Sequence, residues 1–118
     1  MDIANGNEVL TPMIHLITDD TLKQKVLECS TPFLLKFYTL WCAPCKTLNP
    51  IFEKLSVAWP RISFGSLNIS NNPQTPSTYR ISSIPSLLLF NKGEIRGEIR
   101  FSVNETTILK MLEKAMVL

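Results

Sequence analysis

The stretch Pro32-Phe33-Leu34-Leu35-Lys36-Phe37-Tyr38-Thr39-Leu40-Trp41-Cys42-Ala43-Pro44-Cys45 decides the fold of this 118-residue chain. From Pro32 to Tyr38 an apolar, aromatic run reads as a buried strand. Beyond it, Leu48, Ile51, Phe52 and Leu55 recur at helical spacing, so residues from about Cys42 to Ala58 read as an amphipathic helix. Pro50, inside that pattern, removes one backbone donor and predicts a kink. The Cys-x-x-Cys therefore sits where a strand hands over to a helix, the place where α/β folds gather ligands and chemistry. Two thiols three positions apart lie on one helical turn, close enough to bridge reversibly. Unpaired backbone N–H groups and the positive dipole end at a helix start favour thiolate over thiol. Such a setting lowers a cysteine pKa below about 8.5 and makes the thiolate a nucleophile in disulfide exchange. Cys42, nearest the helix start, is the expected attacking sulfur; Cys45, one turn in, is placed to resolve the mixed disulfide.

Working outward, Met1 to Pro12 is polar and closes on a proline, which predicts a loose tail followed by one domain from 13 to 118. Met13–Ile17 reads as a short strand. Thr18 or Asp19 can cap a helix running to about Cys29, with Leu22, Val26 and Cys29 on one face. After Trp59-Pro60, Ile62–Ile69 reads as a third strand, and a polar segment leaves room for a short helix near Thr75–Arg80. Ser86–Phe90 is a strand, Asn91-Lys92-Gly93-Glu94 a hairpin turn, and Ile95–Phe101 its partner. Asn104 caps a last helix with Ile108, Leu112, Ala115 and Met116 on its inner face. Strand–helix alternation demands parallel crossovers while the hairpin demands an antiparallel pair. The fold class is therefore α/β, with a mixed sheet covered by helices on both faces.

Composition narrows the function. A 45% hydrophobic content supports one compact domain with a core of its own. A net charge of +2 with no basic stripe gives no reason to invoke nucleic acid or an acidic membrane surface. No run approaches the roughly 18–20 apolar residues of a membrane span. The first dozen residues contain no Lys or Arg and no apolar run, so a signal peptide is not expected and the chain is placed in the cytoplasm. Three cysteines make no stapling framework. A zinc site needs four ligands, and only Cys29 and His15 remain, neither at ligand spacing, so no metal is expected. Cys29 fits an apolar helix face as a small hydrophobe; His15 reads as a solvated strand residue.

The chain resembles the thioredoxin family from about Met13 onward. The resemblance is carried by Trp41-Cys42-Ala43-Pro44-Cys45-Lys46, by Pro50 five residues later, and by Leu67-Asn68-Ile69 followed by Asn72-Pro73. It continues through Tyr79-Arg80-Ile81, Ile84-Pro85-Ser86-Leu87-Leu88-Leu89-Phe90 and Lys92-Gly93-Glu94. It implies a thioredoxin fold, a five-stranded mixed sheet flanked by about four helices. It also implies a cis-proline at Pro85 facing the dithiol, with the Ile84 backbone pairing with an extended substrate segment. Trp41 and Pro85 would line the docking surface around Cys42.

Four positions depart from the family pattern. Ala43 replaces the usual glycine and should change little. Lys36 stands where the family keeps a buried carboxylate beneath the second cysteine. Buried, it should shed its proton or snorkel. Charged, it would favour thiolate and a more oxidising disulfide; neutral, its amine could take the Cys45 proton. A shifted strand would instead turn Lys36 to solvent. Ser66 falls where many members carry a lysine near that carboxylate, and Phe101 where a glycine keeps the substrate groove open. A ring at 101 would either narrow access or add a stacking surface. Lys36, Pro44 and Ser66 are thus expected to tune the dithiol, and Trp41, Ile84, Pro85 and Phe101 to contact substrate.

The implied activity is reduction of protein disulfides by Cys42 and Cys45. No bound cofactor is expected, and a flavin- and NADPH-dependent thioredoxin reductase would restore the dithiol of a monomeric protein. Two alternatives stay open: a more oxidising oxidase or isomerase tuned by Lys36, and a binding module in which the thiols are incidental.

Overall fold

The computed structural model describes residues 11–117. The expected loose tail falls mostly outside the described residues. Five strands, β1 (Ile14–Ile17), β2 (Phe33–Tyr38), β3 (Ser63–Asn68), β4 (Ser86–Asn91) and β5 (Glu94–Ile99), form one sheet in the order β1-β3-β2-β4-β5. β3 runs parallel to both β1 and β2, whereas β4 is antiparallel to β2 and to β5. The helices are α1 (Ala43–Ala58), α2 (Gln74–Thr78), α3 (Glu105–Val117) and a π-helical turn at Lys23–Leu27. This is the thioredoxin fold expected from the sequence.

β2 is the central strand, which explains its nearly continuous apolar sequence: both of its faces are covered. Side chains alternate across it. Leu34 joins Phe64, Leu87 and Leu89 on the face packed by Leu48, Phe52 and Leu55 of α1 and by Ile108 and Leu112 of α3. Phe33, Leu35 and Phe37 join Leu67, Leu88 and Phe90 on the other, with Ile17 and Val26. Burying each such side chain is worth about 1.5–3 kcal/mol. Gly65 is demanded by this packing, since a Cβ there would stand 2.6 Å from the Phe33 ring. The β4–β5 hairpin turns on Lys92 and Gly93, at φ 55° and 82°, a double left-handed geometry that glycine eases.

Some expectations are corrected. The segment after β1 starts as a helix, with Leu22 N–H donating to the Thr18 carbonyl at 3.0 Å, then widens so that Glu28 N–H reaches back five residues to Lys23. Thr18 holds its start by exchanging hydrogen bonds with Thr21 at 2.9 and 3.2 Å. Asp19 does not cap it. Its carboxylate accepts from Gln74 N–H at 3.0 Å, and from Thr75 N–H at 2.8 Å and Thr75 Oγ1–H at 2.7 Å, capping α2 instead. In α3, Asn104 Oδ1 accepts from Thr107 N–H at 3.0 Å as an N-cap. Met116 lies outside: its position is about 80° round the helix from Ile108, and the half-buried Met111 fills the inner face in its place.

Candidate active site

Residue 42 is the hinge of the site, because the chain leaves β2 there and enters α1. Cys42 is the N-cap of α1 in extended conformation, and its sulfur accepts from Cys45 N–H at 3.2 Å. One of the orphan donors of the helix start thus points at the sulfur expected to carry negative charge. Pro44, in the first turn, has no N–H to leave unsatisfied and a φ already suited to a helix. The two cysteines are joined as a disulfide with their Cα atoms 5.2 Å apart. Their exposures differ: Cys45 is 2% exposed and buried by the helix face, while Cys42 is half-buried.

Exposed apolar side chains precede Cys42 in the chain. Trp41 is 88% exposed, and Leu40 and Phe101 also stand in solvent. The Ile84–Pro85 bond is cis, as the resemblance implies. β4 enters the sheet beside the end of β2, Ser86 pairing with Phe37, so Pro85 arrives at the same sheet end as the dithiol. Continuing the β4–β5 register past the Leu87–Ile99 pair sets Phe101 level with Pro85. The loop before Pro85 is tied to β5: Arg100 donates to the carbonyls of Arg80 and Tyr79 at 2.8 and 3.1 Å, and Ser83 Oγ–H donates to the Arg100 carbonyl at 2.8 Å.

Lys36 faces inward. It pairs with Ser66 across β3 and Leu87 across β4, on the face shared by Leu34 and Phe64, and only 5% of it is exposed. The outward-facing alternative for Lys36 is therefore excluded. Its Nζ donates to Asn49 Oδ1 at 2.6 Å and stands 4.7 Å above the Phe52 ring. Burial pushes its pKa down to about 8, partly opposed by the Glu53 carboxylate. Ser66, also buried, lies beside it on β3. Lys36 and Ser66 are thus buried on the α1 face of the sheet, Trp41 and Phe101 stand exposed, and Ile84 packs half-buried against the core of the other face.

Cys29 lies before the opposite end of β2 from the dithiol. It is half-buried rather than fully buried; desolvation raises its pKa, but hydrogen bonds, chiefly to Thr31 and Ser63, bring it net below 9.0. Among the described residues no cluster of His, Cys, Asp or Glu is arranged to hold a metal ion. Two contributors escaped sequence reasoning. Asn49 follows Cys45 by four residues, so helical spacing could have flagged it, whereas nothing local marks Arg100 as the tie to the Pro85 loop.

A dithiol that caps a helix just after the central strand, preceded by an exposed tryptophan, defines a thiol–disulfide exchange protein. Sequence comparison agrees. The thioredoxin family profile matches residues 13–114. The thioredoxin of Rickettsia prowazekii (strain Madrid E) is 41% identical over 83 residues, 70% of this chain and 79% of that protein. The thioredoxin of Buchnera aphidicola is 37% identical over 99 residues, 83% and 92% of the two chains. A chloroplastic M-type thioredoxin of Brassica napus is 34% identical over 102 residues, 86% of this chain and 58% of that one. The chain belongs to the thioredoxin family. It is a thiol–disulfide oxidoreductase of the disulfide-reducing type, working through Cys42 and Cys45 on disulfide-bearing proteins, with a thioredoxin reductase as its source of electrons. No described helix is long and apolar enough to cross a membrane.

Proposed function

We propose that the Cys42 thiolate attacks a substrate disulfide and that Cys45 completes the exchange. The first S–S bond forms between Cys42 and the substrate while one substrate sulfur leaves as thiolate and takes a proton from water. Cys45, deprotonated, then attacks Cys42; the mixed disulfide breaks and the second substrate thiol is released. Two electrons pass to substrate and the Cys42–Cys45 disulfide remains. The observation that carries this assignment is the unequal setting of the sulfurs, Cys42 half-exposed at the helix cap with a backbone N–H aimed at it and Cys45 buried.

Trp41, Ile84, Pro85 and Phe101 form the docking rim, with Phe101 offering a stacking surface, and Pro44, Lys36 and Ser66 tune the dithiol. The reductase draws on NADPH, and the protein works as a cytoplasmic monomer whose domain begins near Met13 after a tail of residues 1–12. An insulin-reduction assay with dithiothreitol tests the assignment. The wild type should accelerate insulin precipitation and Cys42→Ser should not; full acceleration by that variant would overturn it.

The burial of Lys36 supports a second reading, a disulfide more oxidising than usual because a nearby cation stabilises thiolate. Titration against glutathione buffers decides it: a potential near the thioredoxin value of about −270 mV would count against this reading.

A further inference from the structure

We propose that Asn49 is a positioning residue for the second half of the exchange: its Oδ1 holds the Lys36 amine on the helix face that carries Cys45, where amine and thiol share one proton. The inference rests on the reading above, in which Cys45 must lose its proton to attack Cys42.

Cys45, Asn49 and Phe52 are successive members of one face of α1, at positions i, i+4 and i+7. Side chains four apart on a helix stand about 5–6 Å from each other at Cβ. Lys36 Nζ bonds the exposed side chain at 49 and lies over the ring at 52, so it reaches this face about one turn from Cys45. A carbonyl oxygen is only an acceptor. The contact to Asn49 Oδ1 therefore consumes an N–H of the amine, and in the neutral amine the lone pair stays free for another hydrogen. Among the described residues Asn49 is the one hydrogen-bond partner of this amine.

The neighbours on the flanking strands bring no charge to the amine. Ser66 of β3 is a neutral hydroxyl, Leu87 of β4 has no polar side-chain atom, and Tyr38 presents its ring 5.6 Å from Nζ. Glu53 of α1 is the nearby carboxylate, and it favours the charged amine. Burial pushes the Lys36 amine down to about 8, so it can give up or take a proton close to neutral pH. The reactive state carries one proton for the pair. As Cys45 Sγ–H gives its proton to Lys36 Nζ, the thiolate forms the new bond to Cys42 Sγ and the substrate sulfur departs with the electron pair of the old bond.

The test separates the two halves of the exchange. Reduced protein is mixed in a stopped-flow instrument with 5,5′-dithiobis(2-nitrobenzoate), whose aromatic thiolate is coloured. Attack by Cys42 releases the first coloured thiolate and attack by Cys45 the second. Asn49→Leu keeps the shape and deletes the acceptor, Asn49→Gln keeps a neutral acceptor oxygen, and Lys36→Met deletes the amine. The second phase should slow about tenfold at pH 7 in Asn49→Leu, the size expected for losing one hydrogen bond to a chargeable group. The first phase should be unchanged, and Asn49→Gln should retain most of the second. Lys36→Met should flatten the rise of the second phase through pH 8, and adding Asn49→Leu to it should slow nothing further. An unchanged second phase in Asn49→Leu, or a full additional loss in the double variant, overturns the positioning role. Loss of the first phase from the wild type would instead overturn the exchange reading itself.

Discussion

The two faces of the central sheet are built from the same strands and do different work. Beneath the π-helical turn, Phe33, Leu35, Phe37, Leu67, Leu88 and Phe90 meet, and among the described residues no buried charged group lies on their side of β2. On the α1 face the same strands contribute Leu34, Phe64, Leu87 and Leu89, but also Lys36 and Ser66. The polar pair stands at the end of the sheet where Cys45 is buried. A lysine there costs desolvation that its hydrogen bond to Asn49 and the ring of Phe52 only partly offset. One face is shaped for stability, and the other gives up some stability to place an ionisable group beside the dithiol.

Substitutions at adjacent residues of β2 should therefore act in opposite directions. Phe37→Ala, on the apolar face, should destabilise by about 3–5 kcal/mol in urea unfolding, with a ring-sized cavity left in a fully packed site. A loss below about 1 kcal/mol would show that the apolar face is not the stabilising one. Lys36→Met, one residue away, should stabilise by up to about 3 kcal/mol at pH 7. The unfolded lysine keeps its proton to about 10.5 and the folded one releases it near 8, so between those values the unfolded chain binds more protons. Wild-type stability should therefore rise with pH across that window, and the advantage of Lys36→Met should shrink there. A stability curve flat from pH 8 to 10.5 would break the contrast.

The smallest effect belongs to the rim of the apolar face. Asp19→Ala, which uncaps α2, should cost about 1 kcal/mol in the same assay. Desolvation raises the Asp19 pKa, but the bonds from Thr75 and Gln74 outweigh it and hold it below 3.8. The contribution is therefore complete above pH 3.8 and fades as pH falls through the lower folded value. Wild type and Asp19→Ala should converge on acidification.

The pattern of what could be read in advance follows from range. The dithiol, the buried strand Phe33–Tyr38 and the Lys92-Gly93 turn were legible because each is specified by neighbours in sequence. The inward direction of Lys36 was not, because a period of two allows either face until β3 and β4 fix the register at Ser66 and Leu87. Asp19 read as a cap for the residues after it, whereas its partners lie 55 and 56 positions away. Local rules name the residue able to cap; only the folded chain decides which helix end it reaches.

The tie between Arg100 and the loop before Pro85 has a thermodynamic consequence for recognition. Three hydrogen bonds tie Tyr79, Arg80 and Ser83 to Arg100, just past the end of β5. The conformational entropy of ordering that backbone is surrendered when the chain folds and is not charged to each encounter. A protein that must release every product after two electrons gains from this, since a loop ordered in advance can bind briefly and still bind in one orientation.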